Sequence, residues 1–159
     1  MEIKTTKSGL QYYRDFDNMD GGIVMVNPKT IDKYKELKDK QSNTEELGIF
    51  FAFSVEQFKE GYNKLIERGI ISAGDKVCSA GLGAYGTREA FDKYFANIKQ
   101  KDNEISKICD AQEVYFYEFN NHECMFGCDG DKPAIEIIYS IFGKEIAKHI
   151  VRFNEYMTT

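Results

Sequence analysis

The sequence predicts an α+β fold with a mostly antiparallel sheet of about five strands and helices packed mainly on one face. Three observations carry that expectation. Two short apolar runs near the N-terminus flank a turn-rich stretch, the middle of the chain alternates apolar runs with helical amphipathic patterns, and residues 113–119 read EVYFYEF, rich in aromatic side chains.

Residues 10–13 and 23–26 read as the arms of a hairpin around Asp17-Asn18-Met19-Asp20-Gly21-Gly22. Asn27-Pro28 has the form of a helix start, Asn capping and Pro at the first helical position, with a helix running to about Gln41. Ile31, Tyr34 and Leu37 mark its inner side, and Lys33, Lys35, Lys38 and Lys40 surround the rest as a solvated face. Ser42-Asn43-Thr44 is a polar break. Residues 47–53, LGIFFAF, are continuously apolar, which predicts a central strand covered on both faces. Ser54 with Gln57 three residues later is a capping box for a helix whose stripe is Val55, Phe58, Tyr62, Leu65 and Ile66, closed by Gly69.

A strand over 76–80 leads into Gly81-Leu82-Gly83-Ala84-Tyr85-Gly86, and Thr87 caps a helix with Ala90, Phe91, Tyr94, Phe95 and Ile98 on one face. Residues 99–110 read as a helix end and a connection. The strand 113–119 follows, then a loop over 120–130. Pro133 opens a helix that turns Ala134, Ile137, Ile138 and Ile141 inward and ends at Gly143, and a short helix spans Glu145 to about Arg152. With 159 residues, no internal repeat and no low-complexity tract, the chain is expected to form a single domain, residues 1–159.

Composition bounds the function. The formal net charge is −5, from 26 acidic and 21 basic residues, which argues against a protein built to neutralise a phosphate backbone. A nucleic-acid mimic ranks below plain protein binding, because a net −5 with lysines scattered throughout is too mild to rival a phosphate backbone. No apolar run has the length of a membrane span and residues 1–13 lack the apolar core of a signal peptide, so a cytoplasmic protein with no membrane partner and four reduced cysteines is expected.

Three groups of residues could carry chemistry. Gly81-x-Gly83-x-x-Gly86 has the spacing of a dinucleotide fingerprint, in which glycines let backbone amides approach a pyrophosphate at a helix start. The ribose-binding acid expected about 20 residues later would be Asp102, which no strand precedes. The stretch is therefore either a conformational turn or a seat for a smaller phosphate or nucleotide on Gly81, Gly83, Gly86 and Thr87 with Arg88 beside them. His122, Cys124 and Cys128 fall within the loose spacing of a zinc site, with Cys109, Asp129 or Asp131 as a fourth ligand, but only one ligand pair is visible. Glu118, His122 and Glu123 could supply an acid-base pair if the loop folds back, and Asn120-Asn121-His122-Glu123 is equally a structural turn. No Gly-x-Ser-x-Gly elbow or Walker loop occurs.

FFAFSVEQFKEG at 50–61, GLGAYG at 81–86 and YEFNNHECMFGCDGD at 117–131 together resemble a family of small uncharacterised proteins from phages and mobile elements of gut bacteria. The resemblance covers about 45–152, treats 1–28 as an N-terminal hairpin addition to that core, and brings no catalytic residues. It implies a non-enzymatic protein that binds and inhibits a host protein, most plausibly an anti-defence inhibitor of the anti-CRISPR type acting on a nucleic-acid-processing complex. The alternative is a protein that sequesters or hydrolyses a small nucleotide at the 81–88 loop.

Overall fold

A computed structural model of the chain describes residues 1–15, 17 and 22–153. Among them are seven helices and two three-stranded antiparallel sheets, so the α+β class holds but the single five-stranded sheet does not. The chain divides into two compact units, one of residues 1–39 and 101–159, the other of residues 40–100.

The first unit opens with β1 (Lys4–Thr5), β2 (Gln11–Arg14) and β3 (Ile23–Met25), in the order β1-β2-β3. Tyr12 stands opposite Met25 and Arg14 opposite Ile23, the expected hairpin; most of its turn lies outside the described residues. Its first helix is α1 (Ile31–Asp39), not a helix beginning at Asn27-Pro28. Asn27 instead ties down β2, its Oδ1 accepting from the Gln11 amide at 2.7 Å. The two amides just before it are met from a distant part of the chain: those of Lys29 and Thr30 donate to the two carboxylate oxygens of Glu113, each at 2.7 Å. A carboxylate at a helix start satisfies orphan donors and the positive end of the dipole at once.

Glu113 belongs to the largest correction. Residues 113–119 are not a strand but the middle of α5 (Ala111–Asn121), capped by Asp110, which accepts from the Glu113 amide at 3.0 Å. A strand needs only one or two covered faces, whereas this helix is enclosed on nearly every side: Val114, Tyr115, Phe116, Glu118 and Phe119 are all buried. An element apolar all round has no amphipathic period to reveal it as helical. α6 (Lys132–Phe142) packs on it with Ala134 and Ile138 fully buried, as their spacing predicts, and α7 (Lys144–Lys148) is shorter than expected. Tyr12, Phe116, Phe119 and Phe153 join in ring contacts with centroids 4.9–5.8 Å apart, linking β2, α5 and the C-terminal segment.

The second unit contains α2 (Thr44–Leu47), β4 (Ile49–Phe51), α3 (Val55–Glu67), β5 (Cys78–Gly81) and β6 (Ala84–Gly86). The polar break at 42–44 is the cap of α2, where Asn43 accepts from the Glu46 amide. Strand order is β4-β6-β5, so β4 is an edge strand and not the central one expected from LGIFFAF. Ile49 and Phe50 are buried, but Phe51 is 56% and Phe53 79% exposed. The capping box on α3 forms as expected, Ser54 accepting from the Gln57 amide at 3.2 Å, while Gln57 reaches back to the Phe53 amide at 2.7 Å. At the other end Gly69 takes φ +70, its amide donating to Ile66 O and that of Ile70 to Leu65 O, a Schellman ending. Of the predicted stripe, Leu65 is buried and Phe58, Tyr62 and Ile66 are packed, but Val55 faces solvent. α4 (Arg88–Ile108) begins at Thr87, which accepts from the Ala90 amide at 3.1 Å, and continues through the stretch expected as a connection; Phe95, expected inward, is exposed. No described helix is long and apolar enough to cross a membrane.

Candidate functional site

The glycine loop is a hairpin, not the strand-to-helix corner expected of a phosphate fingerprint. Gly81 pairs with Ala84, leaving Leu82 and Gly83 as a two-residue turn with φ +51 and +78. Successive positive φ values at these positions belong to a type I′ turn. The strand would have to be absent for the amides of 81–87 to ring one anion; instead β6 separates Gly81 and Gly83 at the tip from Thr87 and Arg88 at the helix start. Two of the glycines have packing reasons. A Cβ on Gly83 would lie 2.5 Å from the Phe53 ring, and one on Gly86 would lie 3.0 Å from Gly48 O. What remains of the expected seat is a cleft of about 350 Å³ at the start of α4, bordered by Lys76, Thr87 and Lys93, the last already paired with Glu89 at 3.1 Å.

The structure brings Glu118 and His122 together by helical spacing, one turn apart on α5, and not by a folded-back loop. Glu118 is fully buried. Its Oε1 accepts from the Tyr34 hydroxyl at 2.7 Å and from Lys38 Nζ at 2.6 Å, joining α5 to α1. His122 Nε2 stands 3.0 Å from Oε2 but makes no well-directed hydrogen bond to it, so that oxygen has a neighbour and no donor. Burial, and then the bond to Glu118, push the Tyr34 hydroxyl far above the ordinary tyrosine value. Glu123 leaves the helix at φ +50 and does not join the pair. The arrangement ties two helices, and the carboxylate at its centre has no exposed surface at which a substrate could meet it.

His122, Cys124 and Cys128 do not converge. Cys124 is buried, Cys128 exposed, and among the described residues no three His, Cys, Asp or Glu side chains gather as a metal site. Burial raises the pKa of the Cys124 thiol, as it does for Cys109, which opposes the thiolate a zinc ion needs. Asp131 is engaged elsewhere, accepting from Tyr115 at 2.5 Å and from Arg152 Nε and Nη2 at 2.8 Å each.

Sequence reasoning missed the most distinctive surface, a groove of about 560 Å³ between β4 and α3. Phe50 forms its inner wall and the bare backbone of Gly61 its opposite wall: a Cβ at 61 would come within 2.5 Å of the Phe50 ring, so glycine sets how closely α3 approaches β4. Behind it lie Phe58, Tyr62 and Tyr85, with Phe50 stacked on Tyr85 at 5.8 Å and Phe58 edge-on to it at 5.0 Å. Phe51 and Phe53 form the outer rim, and Phe53 lies over Gly83 next to Leu82, which is 96% exposed. On the helical side Lys64 and Arg68 both grip Glu45, at 2.9 and 2.8 Å, and the hydrogen bond from Lys64 holds that carboxyl below its ordinary pKa. The signal for this surface was present in LGIFFAF: seven apolar positions are more than one small sheet can cover.

No curated protein and no solved structure matches the chain. A family model does match, over residues 33–132, which are 100 of the 159 residues and run from α1 to the first residue of α6. The chain belongs to that family, a family of unknown function designated DUF7659.

Proposed function

We propose that the chain is a non-enzymatic binding protein and that the groove between β4 and α3, with Phe51 and Phe53 on its rim and the exposed Val55 and Leu82 beyond it, is where it meets a protein partner. The observation behind this reading is the exposure of Phe51 and Phe53, 56% and 79%, on the rim of a preformed groove, with Val55 and Leu82 also exposed. Aromatic anchors beside a preformed cavity are the usual source of binding energy at an interface. The motif resemblance gives the reading its narrower form, inhibition of a host defence enzyme by a protein of phage or mobile-element origin. A photo-cross-linking amino acid placed at position 53 tests it in the protein's own cells. One discrete adduct at 53, missing when the probe replaces the exposed Lys4, is expected; equal labelling at both positions, or none at 53, overturns the reading.

A second reading, a phosphate or small nucleotide held at the start of α4, is supported by the cleft beside Lys76 and Thr87. It requires ATP or inorganic phosphate to raise the melting temperature and Thr87→Val to remove that rise. An unchanged melting curve counts against it.

A further inference from the structure

We infer that the groove takes an extended segment of the partner as a fourth strand on β4, one aliphatic side chain of which enters the groove between β4 and α3 while a neighbouring lysine or arginine reaches Glu60. This deepens the protein-binding reading and rests on it.

The main-chain argument comes from strand alternation. In an antiparallel ladder the N–H and C=O of a residue point to the same side, and successive residues alternate. The Ala52 amide donates to Gly83 O at 2.9 Å, so Ala52 and Phe50 face β6, while the N–H and C=O of Ile49 and Phe51 face out of the sheet. That edge is short and bounded. Gln57 takes the Phe53 amide at one end, and α2 precedes the strand at the other. A row of outward backbone groups beside a helix recognises an extended peptide, because main-chain pairing supplies affinity and every second side chain is left to point into the gap between strand and helix.

The chemistry of that side chain follows from the walls. Ile49, Phe50, Phe51, Phe53 and Leu65 give the groove an apolar side, and of the uncharged polar residues that also line it, Thr44 and Gln57, the Gln57 Oε1 already accepts from the Phe53 amide; an aliphatic group fits against the apolar side, where a polar one would lose its water without replacement. Charge complementarity sets its neighbour. The groove's charged side chains are Glu45, Glu60 and Lys64; Glu45 is held by Lys64 and Arg68, and among the described residues no ion pair involves Glu60. One uncompensated carboxylate at the lip favours a basic residue and repels an acidic one.

The test is selection of a displayed random-peptide library on the full chain, followed by affinity measurements on synthetic peptides. Selected peptides are expected to share an aliphatic position next to Lys or Arg. N-methylation of a peptide amide that faces β4 should weaken binding at least about tenfold, as expected for a lost charge-free hydrogen bond in a desolvated contact, while methylation one residue away changes it little. Glu60→Lys should exchange the basic preference for an acidic one, and circular dichroism verifies that this variant is folded. Peptides that bind as helices, indifference to methylation at both positions, or an empty selection would each overturn the inference. So would a dimer of this chain in which the Phe51 amide becomes protected from exchange, since a second copy would then be the occupant. The cross-link at position 53 is independent of all these outcomes, so an adduct there with a failed selection sinks the strand and leaves the binding protein standing.

Discussion

The two units handle the same materials in opposite ways. The unit of residues 1–39 and 101–159 encloses polar side chains: Gln112, Glu113, Glu118 and Asp131 are all buried, and each holds two segments together. The unit of residues 40–100 buries no charged side chain among those described, and it leaves Phe51 and Phe53 in solvent on the rim of a groove, with Val55 and Leu82 also exposed. A buried polar group without its partner is costly, so the first arrangement persists only where each group is matched, and it fixes one packing of α1, α5 and the C-terminal segment. An exposed aromatic rim adds nothing to the stability of its own unit. The difference teaches where to look for each property: stability around α5 and, under the binding proposal, recognition around β4.

The largest expected effect is at Glu118. Glu118→Ala leaves the buried Tyr34 hydroxyl without an acceptor and breaks the Lys38 bond; because Lys38 is partly exposed, a loss of about 3 kcal/mol is expected in denaturant unfolding. Glu118→Gln keeps an acceptor and should cost about 1 kcal/mol. Hydrogen exchange sharpens the comparison, since amides of α1 and α5 should lose protection and those of α3 should keep it. Equal loss in α3 would break it.

Alkali provides the next effect. The folded-state pKa values of Tyr34 and Tyr115 lie well above the unfolded value, chiefly through burial and then through their bonds to Glu118 and Asp131. Neither tyrosine is ionised in either state below about pH 10, so their contribution is complete there; as pH rises toward the folded values only the unfolded chain releases the protons, and stability falls. The expected decline is about 1.4 kcal/mol per pH unit for each tyrosine, and Tyr34→Phe or Tyr115→Phe should each remove one such increment from the slope measured by unfolding between pH 10 and 12, a window set by the ordinary tyrosine value of about 10. An unchanged slope in both variants would contradict the burial argument.

These two predictions concern the part of the molecule that was least legible in its sequence. Local signals were read well: the Ser54 cap, the Gly69 ending, the Thr87 cap and the hairpin of β2 and β3 each depend on neighbours in sequence, and each formed. The start of α1 was misplaced because its cap, Glu113, is supplied more than 80 residues away. EVYFYEF was misread because tertiary enclosure, and not local preference, makes it a helix. Among the candidate residues, Glu118 and His122 are neighbours through helical spacing and not through a folded-back loop, and of the two readings left open for the glycines, the conformational one has a packing reason at Gly83 in Phe53 and at Gly86 in Gly48. The groove was legible only as a surplus of apolar residues in LGIFFAF, which does not say where they are exposed, since an exposed apolar run and a buried one have the same letters.

In the unit of residues 40–100 the effects should be smaller and local. Gly83→Val places a β-branched residue at φ +78 and drives its Cβ into the Phe53 ring, for an expected cost of about 2 kcal/mol. Faster exchange confined to β5 and β6 is the expected signature. If α5 amides respond as well, the contrast between the two units is weaker than the side-chain chemistry indicates.

Leu82 gives the smallest change in stability and the clearest separation of stability from recognition. It holds φ +51, a conformation that costs a leucine about 1 kcal/mol and an asparagine less, while its side chain is 96% exposed and contributes almost no burial. Leu82→Asn creates an Asn-Gly pair suited to a type I′ turn and should stabilise the protein by about 0.5 kcal/mol, visible as a higher midpoint in urea. A residue that costs its own fold something is informative if it serves a partner. The same substitution should therefore reduce the cross-link formed from position 53 even as the midpoint rises. A higher midpoint with undiminished cross-linking would remove Leu82 from the contact surface and leave it to Phe51, Phe53 and Val55, whereas a lower midpoint would mean that the turn itself has been misjudged.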